Sequence, residues 1–171
     1  MTSILKVSEI QDPTNGNTAA TIDNSGSILM PKQPRFCVVG NNANYVTTTP
    51  VPFPVVRVDS TNSWSTSDNK YIVPVAGDYY FHFDLGLWRI TGNNGTIYIQ
   101  LKINGSLKGY GYAQQTASGG GNLYGNLAIA LIHTCAVGDE VQLLDGGSSS
   151  AGYYNNAVSY THLTLPTILL V

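Results

Sequence analysis

Apolar and polar residues alternate along most of this chain, which is the pattern of β-strands that bury one face of a sheet. In the clearest segment, Tyr79, Phe81 and Phe83 occupy every second position and therefore share one face. A second segment repeats the alternation, with inward positions at Ile97, Ile99, Leu101 and Ile103. No segment shows the period of 3.6 that an amphipathic helix requires. The pattern predicts an all-β fold.

Turn residues separate these segments at intervals typical of a β-sandwich. The strongest turn is Asn104-Gly105, a two-residue hairpin signal between two alternating segments. The predicted strands cover residues 35–40, 53–59, 70–73, 78–90, 96–103, 107–115, 122–134, 139–145 and 152–160. One sandwich domain over residues 35–160 accommodates all of them.

Residues 1–34 follow a different pattern. A short apolar stripe ends at Ile10, and two more apolar segments flank the turn at residues 24–26, which predicts a small hairpin-like leader. A segment of this length cannot bury a core alone. It therefore requires contact with other copies of the chain or with a larger assembly, and the alternative is a loosely ordered leader.

The chain of 171 residues carries only 11% charged side chains and a net charge of −2. Large neutral surfaces follow, as expected where subunits pack together. No basic cluster supports nucleic-acid binding, no apolar run is long enough for membrane insertion, and the N-terminal residues lack the pattern of a secretory signal. Cys37 and Cys135 lie in separate apolar strands and are expected as buried free thiols, with a disulfide between them as the alternative.

Catalytic chemistry has little support in the sequence. The histidines have no metal-ligand spacing; they are His82, His133 and His162. The acidic residues are scattered, and no pair is placed as the two carboxyl groups of a glycosidase are. We therefore expect neither an enzyme nor a cofactor. Asp59 and Asp68, which flank a Ser- and Thr-rich loop, are weak Ca²⁺ candidates, and ordinary solvated loop acids are the alternative.

Aromatic residues among Gly, Ser and Asn are the best ligand-binding candidates, because rings with short polar neighbours suit adaptable recognition surfaces. Those candidates are Trp64, Trp88, Tyr110 and Tyr112. Trp64 is expected to be exposed in its loop, whereas the other three fit a surface or a core position equally well. Tyr79 and Tyr98 are expected in the core.

Two motifs make the fold more specific. The first is an aromatic residue followed by Pro and Gly-x-Tyr-x-Phe, made of Tyr71, Pro74, Gly77, Tyr79 and Phe81. The second is Gly-Asp-x-Val-x-Leu, made of Gly138, Asp139, Val141 and Leu143. Together they resemble the hallmarks of the C1q/TNF-like jelly roll, a β-sandwich. The resemblance implies a homotrimeric binding module, in a family that can hold Ca²⁺ near the apex of the trimer, and not an enzyme.

The leader adds a second, shorter resemblance. Residues 5–13 and 22–26 are similar to the leaders of C1q-like virion proteins of marine bacteriophages. This implies a tail fibre or decoration protein of the virion, made in the host cytoplasm, whose residues 1–34 dock onto other virion proteins. The trimeric head then binds a host surface glycan or protein. The alternatives are a purely structural virion trimer and, less favoured, a polysaccharide depolymerase.

Residues 161–171 depart from the family pattern. Ser159-Tyr160 fits, but the aromatic residue and the Gly that should follow are missing, and Pro166 would interrupt a central strand. The segment resembles adapter read-through at the end of an assembled metagenomic sequence. It is therefore expected to be foreign to the protein, so that the closing strand is incomplete or improvised.

Overall fold

A computed structural model describes residues 7–11, 13–14, 16–30, 32–40, 44–46, 50–88, 95–115, 124–145 and 152–164. The chain divides into two units, Met1–Gln33 and Pro34–Val171. No helix long and apolar enough to cross a membrane occurs among the described residues. Each unit is a β-structure with its own sheet order.

The first unit is an antiparallel sheet of three short strands in the order β1-β2-β3. They are β1 (Glu9–Gln11), β2 (Thr18–Ile22) and β3 (Ile28–Leu29). Asp23 builds the turn between β2 and β3, because its Oδ1 accepts the N–H groups of Ser25 and Ser27, both at 2.9 Å. Gly26 has a φ of +84°, which favours glycine. The hairpin predicted from this turn is confirmed.

The second unit is a sandwich of two antiparallel sheets. Its strands are β4 (Arg35–Val39), β5 (Asn44–Val46), β6 (Val55–Asp59), β7 (Trp64–Ser65), β8 (Lys70–Ile72), β9 (Gly77–Trp88), β10 (Gly95–Ile103), β11 (Ser106–Gln115), β12 (Tyr124–Cys135), β13 (Glu140–Asp145) and β14 (Gly152–Thr164). One sheet has five strands in the order β11-β10-β13-β8-β7. The other has six, in the order β12-β9-β14-β4-β6 with β5 paired to β14. Every predicted strand has a counterpart, whereas the short strands β5 and β7 were not predicted.

The core between the two sheets is rich in aromatic rings. Tyr79, Phe81 and Phe83 on β9 are fully buried, which confirms the predicted orientation of that strand. Tyr71 stacks on Phe36 with 4.4 Å between the ring centroids, and the rings of Tyr79 and Phe81 stack at 5.7 Å. The inward residues of β10 whose side chains are described are also buried; they are Ile99, Leu101 and Ile103.

The two sequence motifs contact each other through their turns. The N–H of Val73 donates to the carbonyl of Asp139 at 2.9 Å, and the N–H of Gly138 donates to the carbonyl of Val73 at 2.8 Å. The Asp139 carboxylate accepts the side-chain amide of Asn104 and the N–H of Ala136, both at 2.8 Å. The bond from Asn104, and then the bond from Ala136, hold the pKa of Asp139 below its ordinary value.

The outward side of the six-stranded sheet carries exposed apolar residues. On β12, Ile132 lies opposite Tyr80 of β9 and is 63% exposed, and Ala130 is exposed two positions away. Across the sheet, Val58 of β6 lies opposite Cys37 of β4 and is exposed as well. We call Val58, Ala130 and Ile132 the apolar face; they lie on the two outermost strands of the sheet, and the strands between them carry polar residues on the same side, among them Asp84. An antiparallel sheet that faces water normally carries polar residues at such positions.

Strand β14 fills the centre of the six-stranded sheet, between β9 and β4. Its register places Thr161 opposite Phe81 on one side and opposite Phe36 on the other. Residues 161–164 therefore occupy strand positions, whereas residues 165–171 lie outside the described residues. Because the ladder bonds use backbone groups only, a foreign sequence can occupy these positions, and the foreign origin of residues 161–171 stays a prediction.

Candidate ligand-binding surface

Two carboxylates hold the loop that carries Trp64. Asp59 ends β6; its Oδ2 accepts the N–H of Trp64 at 2.8 Å, and its Oδ1 accepts the N–H of Thr61 at 3.3 Å. Oδ2 of Asp68 accepts the hydroxyl of Ser65 at 2.8 Å. Both Ca²⁺ candidates therefore serve as internal acceptors of the loop. Within the described ranges, no three His, Cys, Asp or Glu side chains come together as a metal site.

Trp64 is buried, and the prediction that it is exposed was wrong. Its side chain is 8% exposed, stacks on Phe36 at 5.4 Å between centroids and meets Phe53 edge-on at 5.9 Å. The hydroxyl groups of the loop bond to one another. The carboxylate of Asp59 accepts the backbone N–H of Trp64, and the indole of that residue packs in the core. A role of Trp64 in ligand binding stays a prediction.

A surface groove of about 370 Å³ is lined in part by Trp64. Its apolar walls come from Ile72, Pro74 and Val137, and Asn62 contributes a polar side chain. The described residues that line it include no acid, base or thiol. The groove therefore offers apolar contact and hydrogen bonds but no acid–base chemistry.

Tyr110 and Tyr112 form an exposed aromatic pair on β11, the edge strand of the five-stranded sheet. Their side chains are 66% and 64% exposed, their ring centroids lie 6.4 Å apart, and the ring planes are inclined by 32°. Leu107, also exposed, continues the row along the strand. We call Leu107, Tyr110 and Tyr112 the tyrosine strip. The sequence left open whether these tyrosines lie in the core or on the surface, and the structure places both on the surface.

A β-bulge decides which face of β11 the tyrosines take. An unbroken hairpin from the Asn104-Gly105 turn would place Tyr110 opposite Ile99, a core residue. The ladder instead skips Lys108, so that Tyr110 lies opposite Gln100. A one-residue shift of this kind moves every following side chain to the other face.

Glycines on the inner side of β11 allow β12 to approach closely. A side-chain carbon added at Gly111 would lie 3.1 Å from the carbonyl oxygen of Ala128 and 3.3 Å from Ile129. At Gly109 it would lie 3.4 Å from Ile129. Gly111 thus permits close packing of β12 behind the strand, on the side away from the tyrosine strip.

Polar side chains lie beside the tyrosine strip on the next strands. Lys102 of β10 is opposite Leu107 on one side and Gln142 of β13 on the other, and Gln100 is opposite Tyr110. Sequence reasoning missed Gln100 and Lys102 as site residues. Gln100 and Lys102 are polar positions in the alternation of β10, so the sequence indicated that they face outward. It did not indicate which residues of β11 lie beside them, because that depends on the bulge.

Solved structures resemble this chain over most of its length. The globular domain of zebrafish complement 1qA protein superposes with a TM-score of 0.59, covering 80% of this chain and 100% of that chain at 18% sequence identity. Eiger TNF from S. frugiperda gives a TM-score of 0.59, covering 81% and 98% at 8% identity. The fold is the C1q/TNF jelly roll. No family model and no curated protein sequence matches the chain.

The jelly roll separates the two surfaces described above. The apolar face belongs to its six-stranded sheet and the tyrosine strip to its five-stranded sheet. Trp88 ends β9, with its backbone opposite Tyr124 and Gly152. The side chains of Trp88 and Tyr98 lie outside the described ones, so their assignments stay predictions.

The cysteines of the jelly roll are both free thiols. Cys135 is buried, and burial raises the pKa of its thiol to about 11. Cys37 is partly exposed, and burial raises the pKa of this thiol too. Because the thiolate is the nucleophile, neither side chain is activated. The expectation of buried free thiols is met at Cys135 and only in part at Cys37.

Proposed function

We propose that this chain is a non-enzymatic virion protein of a bacteriophage, a fibre or decoration protein assembled in the host cytoplasm. In this proposal three jelly-roll heads associate and recognise a molecule on the host surface, while the first unit attaches to the particle. C1q/TNF domains are commonly trimeric, which supports the association.

The observation that carries the proposal is the apolar face. Ile132 is exposed on a sheet whose other side already fills the core, and Ala130 and Val58 extend the same face. Burying such surface contributes roughly 25 cal/mol per Å². Three copies around a threefold axis can cover one another's apolar faces without leaving an open end for further growth.

The first unit supports attachment to another protein. Ile10 lies opposite Ala20, and Ile22 lies opposite Ile28, so these residues share one side of the three-stranded sheet. The three isoleucines are exposed. The opposite side carries the exposed Leu29 and Glu9, whose carboxylate accepts hydrogen bonds from neighbouring side chains. A small sheet with exposed apolar residues on both sides fits docking onto a larger protein surface.

The tyrosine strip favours a recognition head over a purely structural trimer, since assembly alone needs no exposed rings on the sheet away from the apolar face. A depolymerase has less support. Asp59 and Asp139 are acceptors within turns, and Glu140 forms an ion pair with Lys70 at 2.8 Å. These acids are occupied in holding the fold together.

Light scattering of the full chain tests the association. The unchanged protein should have the mass of three copies, and Ile132→Asp should yield monomers because it places a charge in the subunit contact. Val137→Asp is the matched control, since Val137 is 67% exposed but lies in a turn; it should remain trimeric. A stable unmodified monomer at micromolar concentration, or equal effects of both variants, would contradict the proposed interface.

A further inference from the structure

We infer that the tyrosine strip, together with Gln100 and Lys102, binds an extended acidic polysaccharide, one that carries carboxylate or sulfate groups along its chain. This inference rests on the proposed function and narrows the ligand of the head to a chemical class. It is carried by three features of β11 and its neighbours, namely the row of exposed rings, the close approach of β12 behind the strand and the sign of the nearby charge.

The row of exposed rings suits the sugar units of an extended chain. Pyranose rings have apolar faces of C–H groups that stack on aromatic rings, and phenol hydroxyls add hydrogen bonds at the rim. Tyr110 and Tyr112 present two such rings 6.4 Å apart along the strand direction. The two rings are about two-thirds exposed, whereas compact small ligands need a concave pocket. A chain that lies along the strand matches this shape.

The rigidity of β11 favours weakly held ligands. The close approach of Gly111 to Ala128 and Ile129 supports the backbone behind the rings. A surface that is already ordered loses less conformational entropy on binding. This matters for a polysaccharide, because each sugar unit contributes little affinity and the trimer gains the rest through avidity.

The charge beside the strip selects an acidic chain. Lys102 lies opposite Leu107, one strand away from the exposed row, and has no ion-pair partner among the described residues. The acid on the same side of β13 is Glu140, which Lys70 neutralises at 2.8 Å. Lys108, in the bulge of β11 between Leu107 and Tyr110, is exposed as well. A ligand on the strip therefore lies close to lysine side chains and to the amide of Gln100.

A protein ligand is the competing occupant, because β11 is an edge strand and edges can accept an added strand. The bulge at Lys108 interrupts the regular ladder of that strand, which is a device that discourages edge pairing. The exposed apolar area of the strip is also confined to three side chains. Both features favour the glycan over the added strand.

Calorimetry with defined oligosaccharides tests the inference on the full-length trimer. Oligomers of alginate, a polyuronate, should bind, and laminarin oligomers, which are neutral glucans, should bind at least about tenfold more weakly. Raising the salt concentration should weaken alginate binding only. Equal affinity for both glycans, or alginate binding that does not respond to salt, overturns the assignment of an acidic ligand.

Substitutions locate the site. Tyr110→Ala and Tyr112→Ala should each weaken alginate binding about tenfold, whereas Tyr110→Phe, which keeps the ring, should change it less than about threefold. Lys102→Gln should weaken alginate binding and reduce its salt dependence, while Lys32→Gln, an exposed lysine in the first unit, should do neither. All variants should remain trimeric by light scattering.

Unchanged alginate binding by the Tyr110→Ala, Tyr112→Ala double variant overturns the site. Binding of a host surface protein at the strip, with no response to alginate, overturns the glycan class but leaves the proposed recognition head standing. Failure of the proposed function is distinguished by light scattering, because an unmodified chain that is monomeric contradicts the trimer whatever ligand it binds.

Discussion

At the level of single residues, two carboxylates hold the turns on either side of the groove beside Trp64. Asp59 accepts the backbone N–H groups of Thr61 and Trp64, and Asp139 accepts the N–H of Ala136 and the amide of Asn104. Turn N–H groups that are left without partners lower stability when they are removed from water. Each carboxylate therefore stabilises a backbone path that the hydrophobic core alone does not specify.

Replacing Trp64 tests its position in the core. Trp64→Ala should lower the free energy of unfolding by about 3–5 kcal/mol, because it removes a buried ring and leaves a cavity. Trp64→Phe should cost much less, since it keeps a ring and removes an indole N–H that has no hydrogen-bond partner in the described structure. Urea unfolding measures both. A loss below about 1 kcal/mol for the alanine variant would place the indole outside the core.

Asp139 should make stability depend on pH in the acidic range. Its pKa is lower in the folded protein than the ordinary value of ~3.9, so the ionised form stabilises the fold. That contribution is complete above the ordinary pKa and is lost as the pH falls through the folded pKa. The free energy of unfolding should be measured at pH values from 6 down to 2, a range of about four units around that value. It should fall less steeply for Asp139→Asn than for the unchanged chain. Identical slopes would contradict this role.

At the level of elements, strand β9 is the centre of the packing. It pairs with β12 on one side and β14 on the other, and it buries every second residue from Tyr79 to Leu85. The aromatic rings of this strand meet Tyr71 and Phe53 from the rest of the core. A defect in β9 therefore affects both sheets of the sandwich.

Phe81→Ala should lower the free energy of unfolding by about 3–5 kcal/mol, since the ring is fully buried. Phe81→Leu fills most of the same space and should cost clearly less. Both variants are measured by chemical denaturation, with Val137→Ala as a control at an exposed turn position. Equal losses for the alanine and leucine variants would contradict close packing around this ring.

Strand alternation predicted the fold and most of the core, because burial repeats every two residues and the repeat is visible in the sequence. The candidate site was less predictable for two physical reasons. The side of β11 that carries Tyr110 depends on the skipped residue Lys108, and a single skip has no periodic signature. The burial of Trp64 depends on its bond to Asp59 and on Phe36 from a distant strand, which local composition does not encode.

At the level of the whole molecule, the two sheets of the head carry different surfaces. The six-stranded sheet presents the apolar face, where Ile132 is exposed. The five-stranded sheet presents Tyr110 and Tyr112. Under the proposed function, association through one sheet leaves the other free on all three copies, so the Ile132→Asp and Tyr110→Ala variants should separate assembly from recognition.

The central place of β14 has a kinetic consequence. Thr161 pairs with Phe36 and with Phe81, so the last described strand joins elements that were synthesised long before it. Until Gly152–Thr164 has left the ribosome, β4 and β9 present open edges that can pair with other nascent chains. Contacts so distant in sequence slow folding. The competition between correct closure and aggregation is therefore decided before β14 has paired with both strands, when temperature and chaperone supply affect the yield.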